Sequence, residues 1–338
     1  MDLNTVWFLL VGVLIIGYAI LDGFDFGVGV IHLFTKNEDD KRIMMNAIGP
    51  VWDGNEVWLL TGGGALFAAF PPVYATVFSG FYIALILLLA ALIFRAVSFE
   101  FRGKVESATW RKFWDAAFGI GSLLPAILFG VAFGNILRGI PVDANGNFVG
   151  SFIELLNPYS ILIGVLSLAL FIMHGANYMT NKSEGVLRER FEKLSNKFWI
   201  LFVVLYVIAT FLTMFEAGYL FDGIMSSPLF WILFILLLAS VLYQPVALKA
   251  NKYFVTFLSS AITIASVIGL AALSLFPRLV PSNIDLNFSL TIYNSSSSDR
   301  TLLTMLIIAL IGMPLVIIYT IFIYRVFKGK VVLGKESY

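Results

Sequence analysis

Residues 5–34 read TVWFLLVGVLIIGYAILDGFDFGVGVIHLF, an apolar run interrupted by only two carboxylates, Asp22 and Asp25, and one imidazole, His32. About 20 mostly apolar residues suffice to cross the hydrocarbon core of a bilayer as a helix, so this stretch is a membrane span. Eight further stretches of the same kind follow, near 51–70, 74–97, 114–137, 159–179, 198–217, 228–248, 253–276 and 301–327. No strand-like alternation accompanies them, and in lipid only helices or closed barrels satisfy the backbone. Hydrophobic residues make up 59% of the chain, charged residues only 13%, and mean hydropathy is +0.92. Soluble domains carry about a quarter charged residues. A soluble enzyme and a disordered chain are both excluded, and the chain is expected to be an all-α polytopic membrane protein with nine transmembrane helices.

Orientation follows from the basic residues, which stay on the cytoplasmic side of short loops. The connections after spans 1, 3, 5 and 7, with the C-terminal tail, hold 19 of the 22 Lys and Arg; Arg138, Arg278 and Arg300 are on the other side. The N-terminus is therefore expected outside and the C-terminus in the cytoplasm. Asp2 leads straight into the first span with no basic segment before it, so that span is expected to be retained rather than cleaved as a signal. The chain has no cysteine, which removes disulfides, iron–sulfur clusters and thiolate metal sites. The net charge of +1 gives no reason to expect nucleic acid, and the extensive partner is membrane lipid.

Ionisable residues inside spans are costly and mark function by default. Asp22 and Asp25 are three apart and share a face of span 1, with Gly23, Gly27 and Gly29 allowing a neighbouring helix to approach closely. Asp53 and Glu56 share a face at the start of span 2, where the helix dipole favours negative charge; Trp52 and Asn55 sit among them. Arg95 closes span 3 and Asp115 opens span 4 at the same end. All are expected to meet at one depth of a four-helix group, in a wet pocket open to the cell interior, where neighbouring carboxylates could pass protons. The bland alternative is that single acids cap helices or pair with Arg95. Trp52, Trp58, Trp110 and Trp114 read as interfacial belt residues, and Gly62–Gly63–Gly64 as a helix-contact surface. Asn135, Arg138 and Glu154 read as solvated groups on the outer side, and Asn294–Ser298 as an exposed linker. His174, near the inner end of span 5, lacks the axial partner a haem ligand needs.

The stretches Leu21-Asp22-Gly23-Phe24-Asp25-Phe26-Gly27-Val28-Gly29 and Trp52-Asp53-Gly54-Asn55-Glu56-Val57-Trp58-Leu59 together resemble subunit II of the cytochrome bd-type quinol oxidases. So do Gly62 to Pro71, Phe94-Arg95, Trp110 to Asp115, Gly130 to Asn135 and, more weakly, Leu275 to Ser282. The resemblance implies two four-helix bundles, 1–138 and 159–276, and a peripheral ninth helix at 301–327, all in one membrane domain spanning 1–338. It implies a heterodimer in the bacterial cell membrane, in which subunit I carries two b-type haems, one d-type haem and the quinol site. A small single-helix accessory subunit is common. No cofactor is expected on this chain itself. By resemblance Asp25 and Asp53 would be the main acids of a cytoplasmic proton path for reducing O2 to water, quinol being oxidised outside. Asp22, Glu56, Arg95 and Asp115 would hold or tune them, with Trp52 and Asn55 in support. Glu56 stands where some family members carry Gln, and the connection near 218–228 is shorter than in some relatives. Two other functions stay open at this point: a purely structural partner of subunit I, and a proton-coupled secondary transporter, which would want a mid-membrane site with counterparts in both halves.

Overall fold

The computed structural model describes residues 2–334. Eleven α-helices follow one another: α1 Leu3–Leu33, α2 Glu38–Ile48, α3 Trp52–Ala69, α4 Pro71–Gly80, α5 Tyr82–Phe101, α6 Ala108–Arg138, α7 Pro158–Lys182, α8 Gly185–Glu216, α9 Pro228–Lys249, α10 Tyr253–Leu275 and α11 Asp299–Val326. Polar side chains start several of them. Asn157 accepts from the Ser160 amide ahead of α7, with Pro158 in its first turn, and Ser298 accepts from Thr301 ahead of α11. These contacts satisfy amides that the helix leaves without partners.

Among the described residues, eight helices are long and apolar enough to cross a membrane: α1 and α5 to α11. The expected second span is α3, whose polar first turn and three consecutive glycines leave its hydropathy below that of the others. The expected third span, 74–97, is not one helix. It breaks at Phe81 into α4 and α5, and Phe148, from the connection after α6, packs beside Gly80, 3.0 Å from where a Cβ on that glycine would sit. Thr76 of α4 also donates to the Gly146 carbonyl at 2.6 Å, pinning that connection onto α4.

Helix α7 is the centre of the packing, with 72% of its most apolar stretch buried; the most apolar stretch of α11 is unburied, and that helix rests on α1 and α3. The helices α1 and α7 cross closely because both carry glycine at the crossing. A Cβ on Gly27 would run into the Phe171 carbonyl, and one on Gly175 would lie 2.6 Å from the Val28 amide nitrogen. That part of the small-residue expectation holds. The glycines at 62–64 are divided: Gly62 lies in ordinary contact with Leu14 of α1 (3.7 Å from its would-be Cβ), while Gly63 and Gly64 meet nothing within 4 Å among the described residues.

At the end opposite the basic loops, a short antiparallel pair, β1 Arg278–Val280 and β2 Leu290–Thr291, packs with the connection after α6. Two expectations fail here. Asn135 is buried, donates to the Val131 and Leu155 carbonyls and accepts from Asn157. The serine-rich stretch is not a free linker either: Ser295 is buried, and Ser297 donates through its amide to the Ala69 carbonyl and through its hydroxyl to the Ala68 carbonyl. It thereby caps the carbonyls left open at the end of α3.

Candidate functional site

The centre of the site is the Arg95 guanidinium, on α5 two turns before its end and almost fully buried (1% exposed). It grips Asp22 of α1 at two points, 2.9 and 2.5 Å, and donates to Glu56 of α3 at 3.0 Å. Asp25, one turn further along α1, lies 3.7 Å away. The Phe26 ring faces the same guanidinium, 4.5 Å from ring centre to Cζ. The α-helical spacing of Asp22 and Asp25 brings both to one guanidinium, and only the planar five-donor fork of arginine can serve several carboxylates together.

Asp25 is held from a second side. Asn55 of α3 donates to its Oδ2 at 2.8 Å and to the Leu21 carbonyl at 2.9 Å, while the Asn55 carbonyl oxygen accepts from the Tyr324 hydroxyl at 3.1 Å. The other oxygen of Asp25 has no hydrogen-bond partner. Three carboxylates thus surround one guanidinium, Asp22 and Asp25 fully buried and Glu56 largely so. With all three ionised the group would be doubly negative. Burying such an imbalance is costly, so the arrangement has capacity for protons.

Not every expected member joins this group. Asp53 is exposed, three residues before Glu56 and turned off the buried face. Asp115 belongs to a second cluster nearer the basic loops. It accepts from Arg102 at 2.7 Å and from Lys41 at 2.6 Å, and lies 3.4 Å from the His32 Nε2; Arg102 also donates to Glu38 at 2.5 Å. Burial opposes the Arg102 charge, yet the hydrogen bonds and charges of Asp115 and Glu38 hold its pKa above the ordinary value. This cluster ties α2 and the ends of α1, α5 and α6 together. Trp52 stacks on Phe99, ring centres 5.0 Å apart.

The expected opening towards the basic end is also absent in that form. Phe24, Val28, Met44, Met45, Ile48, Phe99 and Phe118 pack into an apolar layer on that side of Asp25. Asp22 and Asp25 are fully buried, whereas Glu56 keeps a fifth of its side chain accessible (19%) and Asp53 is exposed. The accessible carboxylates of the expected set are thus the two on α3.

His174 is wholly engaged within the chain. Its Nδ1 meets the Ser260 hydroxyl at 2.7 Å, its Nε2 meets the Ile20 carbonyl at 3.0 Å, and its ring stacks on Phe257. Sequence reasoning missed Tyr324, Lys41 and Arg102. Basic residues beyond the span ends and a tyrosine at a span end carry no periodic signal that would tie them to a distant acid.

The family model described as cytochrome bd terminal oxidase subunit II matches residues 3–327. The chain is 37% identical to the cytochrome bd-I ubiquinol oxidase subunit 2 of Escherichia coli K12, covering 97% of this chain and 95% of that one. It is 40% identical to the cytochrome bd ubiquinol oxidase subunit 2 of Bacillus subtilis 168, over 98% and 97%. Among solved structures, a chain of the bd oxidase from Geobacillus thermodenitrificans superposes with a TM-score of 0.81 at 17% identity, covering 97% of this chain and 99% of that one. That last likeness carries the fold.

Proposed function

The chain belongs to the cytochrome bd terminal oxidase subunit II family, and from that premise we propose that it is the haem-free second subunit of a bacterial quinol:oxygen oxidoreductase, supplying a route for proton uptake. Its partner is a subunit I that holds two b-type haems and one d-type haem, and a small single-helix subunit completes the expected set. In this reading the chain makes nine crossings, α4 and α5 together forming the third, with the N-terminus outside and the C-terminus in the cytoplasm. Residues 1–138 and 159–276 are the two four-helix bundles, and 301–327 the peripheral helix.

Neither histidine of this chain suits a haem. Both ring nitrogens of His174 are already bonded, and His32 is pressed edge-on to Phe118 at 5.0 Å beside Asp115. When bound in the partner, the haems supply electron transfer and oxygen reduction. This chain's residues handle the protons.

The observation that carries this function is the convergence of Asp22, Asp25 and Glu56 on a single guanidinium, with one Asp25 oxygen free. Exposed Asp53 receives a proton at the first turn of α3, and Glu56, one turn further in, relays it. Arg95 keeps Asp22 as its counter-charge, and Asp25 accepts the proton on its free oxygen. Each O2 reduced to two waters consumes four electrons and four protons. Taking those protons from inside, while quinol releases its own outside, separates charge without a pump.

A purely structural role is favoured by the two-point Arg95–Asp22 pair, which alone would serve to hold α1 to α5. Oxygen consumption separates the two. In complexes with an unchanged haem spectrum, Asp25→Asn should lower turnover about tenfold or more, the scale of a lost proton-transfer group, and Asp53→Asn by less. Unchanged turnover in both variants would leave only the structural role.

A further inference from the structure

The last helix carries a residue that reaches into the acid group. Tyr324 stands on the final turn of α11, two residues before its end, on a helix that is mostly exposed in this chain. Its hydroxyl donates to the Asn55 carbonyl oxygen at 3.1 Å. The orientation of that amide is fixed from the other side, because the Leu21 carbonyl can only accept and the Asn55 Nδ2 lies 2.9 Å from it. With the nitrogen so placed, its second hydrogen points to Asp25 Oδ2 at 2.8 Å. Asn55 is buried (1% exposed), and its carbonyl oxygen finds Tyr324.

The end of α11 is itself anchored. Lys182, at the end of α7, donates to the Phe327 carbonyl at 2.6 Å, and the Val331 amide donates to the Lys182 carbonyl at 2.9 Å. Lys330 pairs with Glu184, whose pKa the lysine's hydrogen bond and charge hold below the ordinary value. Residues 327–331 therefore strap the helix end to the turn between α7 and α8, so the Tyr324 hydroxyl is not free to swing away.

From this geometry we infer that Tyr324 is a positioning residue for Asp25, acting through Asn55, and that the helix regarded as peripheral thereby takes part in proton transfer. A donor on the amide oxygen polarises the amide and strengthens the N–H that it offers on its other side. The Tyr324 hydroxyl thus helps set both where the Asp25 carboxyl points and how readily it takes up a proton. The other groups facing Asp25 are Asp22 on its own helix, Arg95 of α5, Glu56 of α3 through Arg95, and Tyr178 of α7. None of them touches Asn55 in the way Tyr324 does.

The inference rests on the proton-uptake function given above, and one experiment tells the two apart. The complex carrying Tyr324→Phe, which keeps the ring and its packing, is purified with its haem spectrum as the check of assembly. Its oxygen consumption is then followed across pH beside wild type and Asp25→Asn. The expected result is a turnover about threefold lower near neutral pH, with a pH profile displaced along the pH axis. A profile unchanged, or lowered by the same factor at every pH, overturns the role of Tyr324. Wild-type turnover in Asp25→Asn would instead remove Asp25 from proton uptake, and this inference with it.

Discussion

Replacing Arg95 by leucine is the severest single change this site allows, and its size follows from what the guanidinium touches. Arg95 makes two hydrogen bonds to Asp22 and one to Glu56, and lies against Asp25, with both aspartates fully buried. Its removal leaves buried carboxylates with no cation among the groups that touch them. Breaking a buried ion pair by taking away one partner costs about 3–5 kcal/mol. In a large helical domain each kcal/mol corresponds to roughly 2–4 °C of unfolding temperature, so Arg95→Leu should lower the midpoint by about 10 °C. Arg95→Lys keeps the charge but offers a single point where the carboxylates meet a fork, and should fall between. The double change Arg95→Leu with Asp22→Leu removes charge and counter-charge together and should recover part of the loss. The assay is thermal unfolding of the detergent-purified complex, with haem absorbance and tryptophan fluorescence followed together. An Arg95→Leu complex as stable as wild type would refute the claim that this cation holds the group together.

Two further changes separate packing and anchoring from proton transfer. Asp115→Asn weakens the acceptor shared by Arg102 and Lys41; unfolding midpoints should drop by several degrees while turnover per haem stays at the wild-type value, and a turnover defect would draw Asp115 into the path. Gly27→Val sets a side chain against the Phe171 carbonyl at the crossing of α1 and α7. Overpacking of this kind costs about 1–3 kcal/mol or more, and here it meets backbone that cannot rotate aside, so membranes should contain little assembled complex. A normal yield would show that the crossing can open.

Hydropathy and the positions of basic residues made the membrane class and most helices legible, because lipid imposes one requirement on every crossing. It left α3 and α4–α5 blurred, since the polar first turn of α3 lowers its hydropathy and the apolar run 74–97 carries no mark of the break at Phe81. Within the site, i,i+3 spacing placed Asp22 and Asp25 on one face, and both do meet Arg95. The same rule failed for Asp53 and Glu56: residues three apart differ by about 60° around the helix axis, enough for one to enter the group and the other to face outwards. Asp115 went astray because its partners lie outside the spans, Lys41 on the short helix α2 and Arg102 just past the end of α5. Tyr324 was hidden because a tyrosine near the end of a span usually marks the membrane interface, and nothing in its neighbours points to Asn55, 269 residues away.

Proton uptake itself is the most direct measure. In the assembled oxidase reconstituted into vesicles, with the reduced enzyme given oxygen in a single turnover, a pH indicator on the cytoplasmic side follows protons as they enter. Uptake should lag behind haem oxidation in Asp25→Asn and keep pace with it in wild type. If Asp25→Asn takes up protons as fast as wild type, the buried acids gathered on Arg95 do not conduct them.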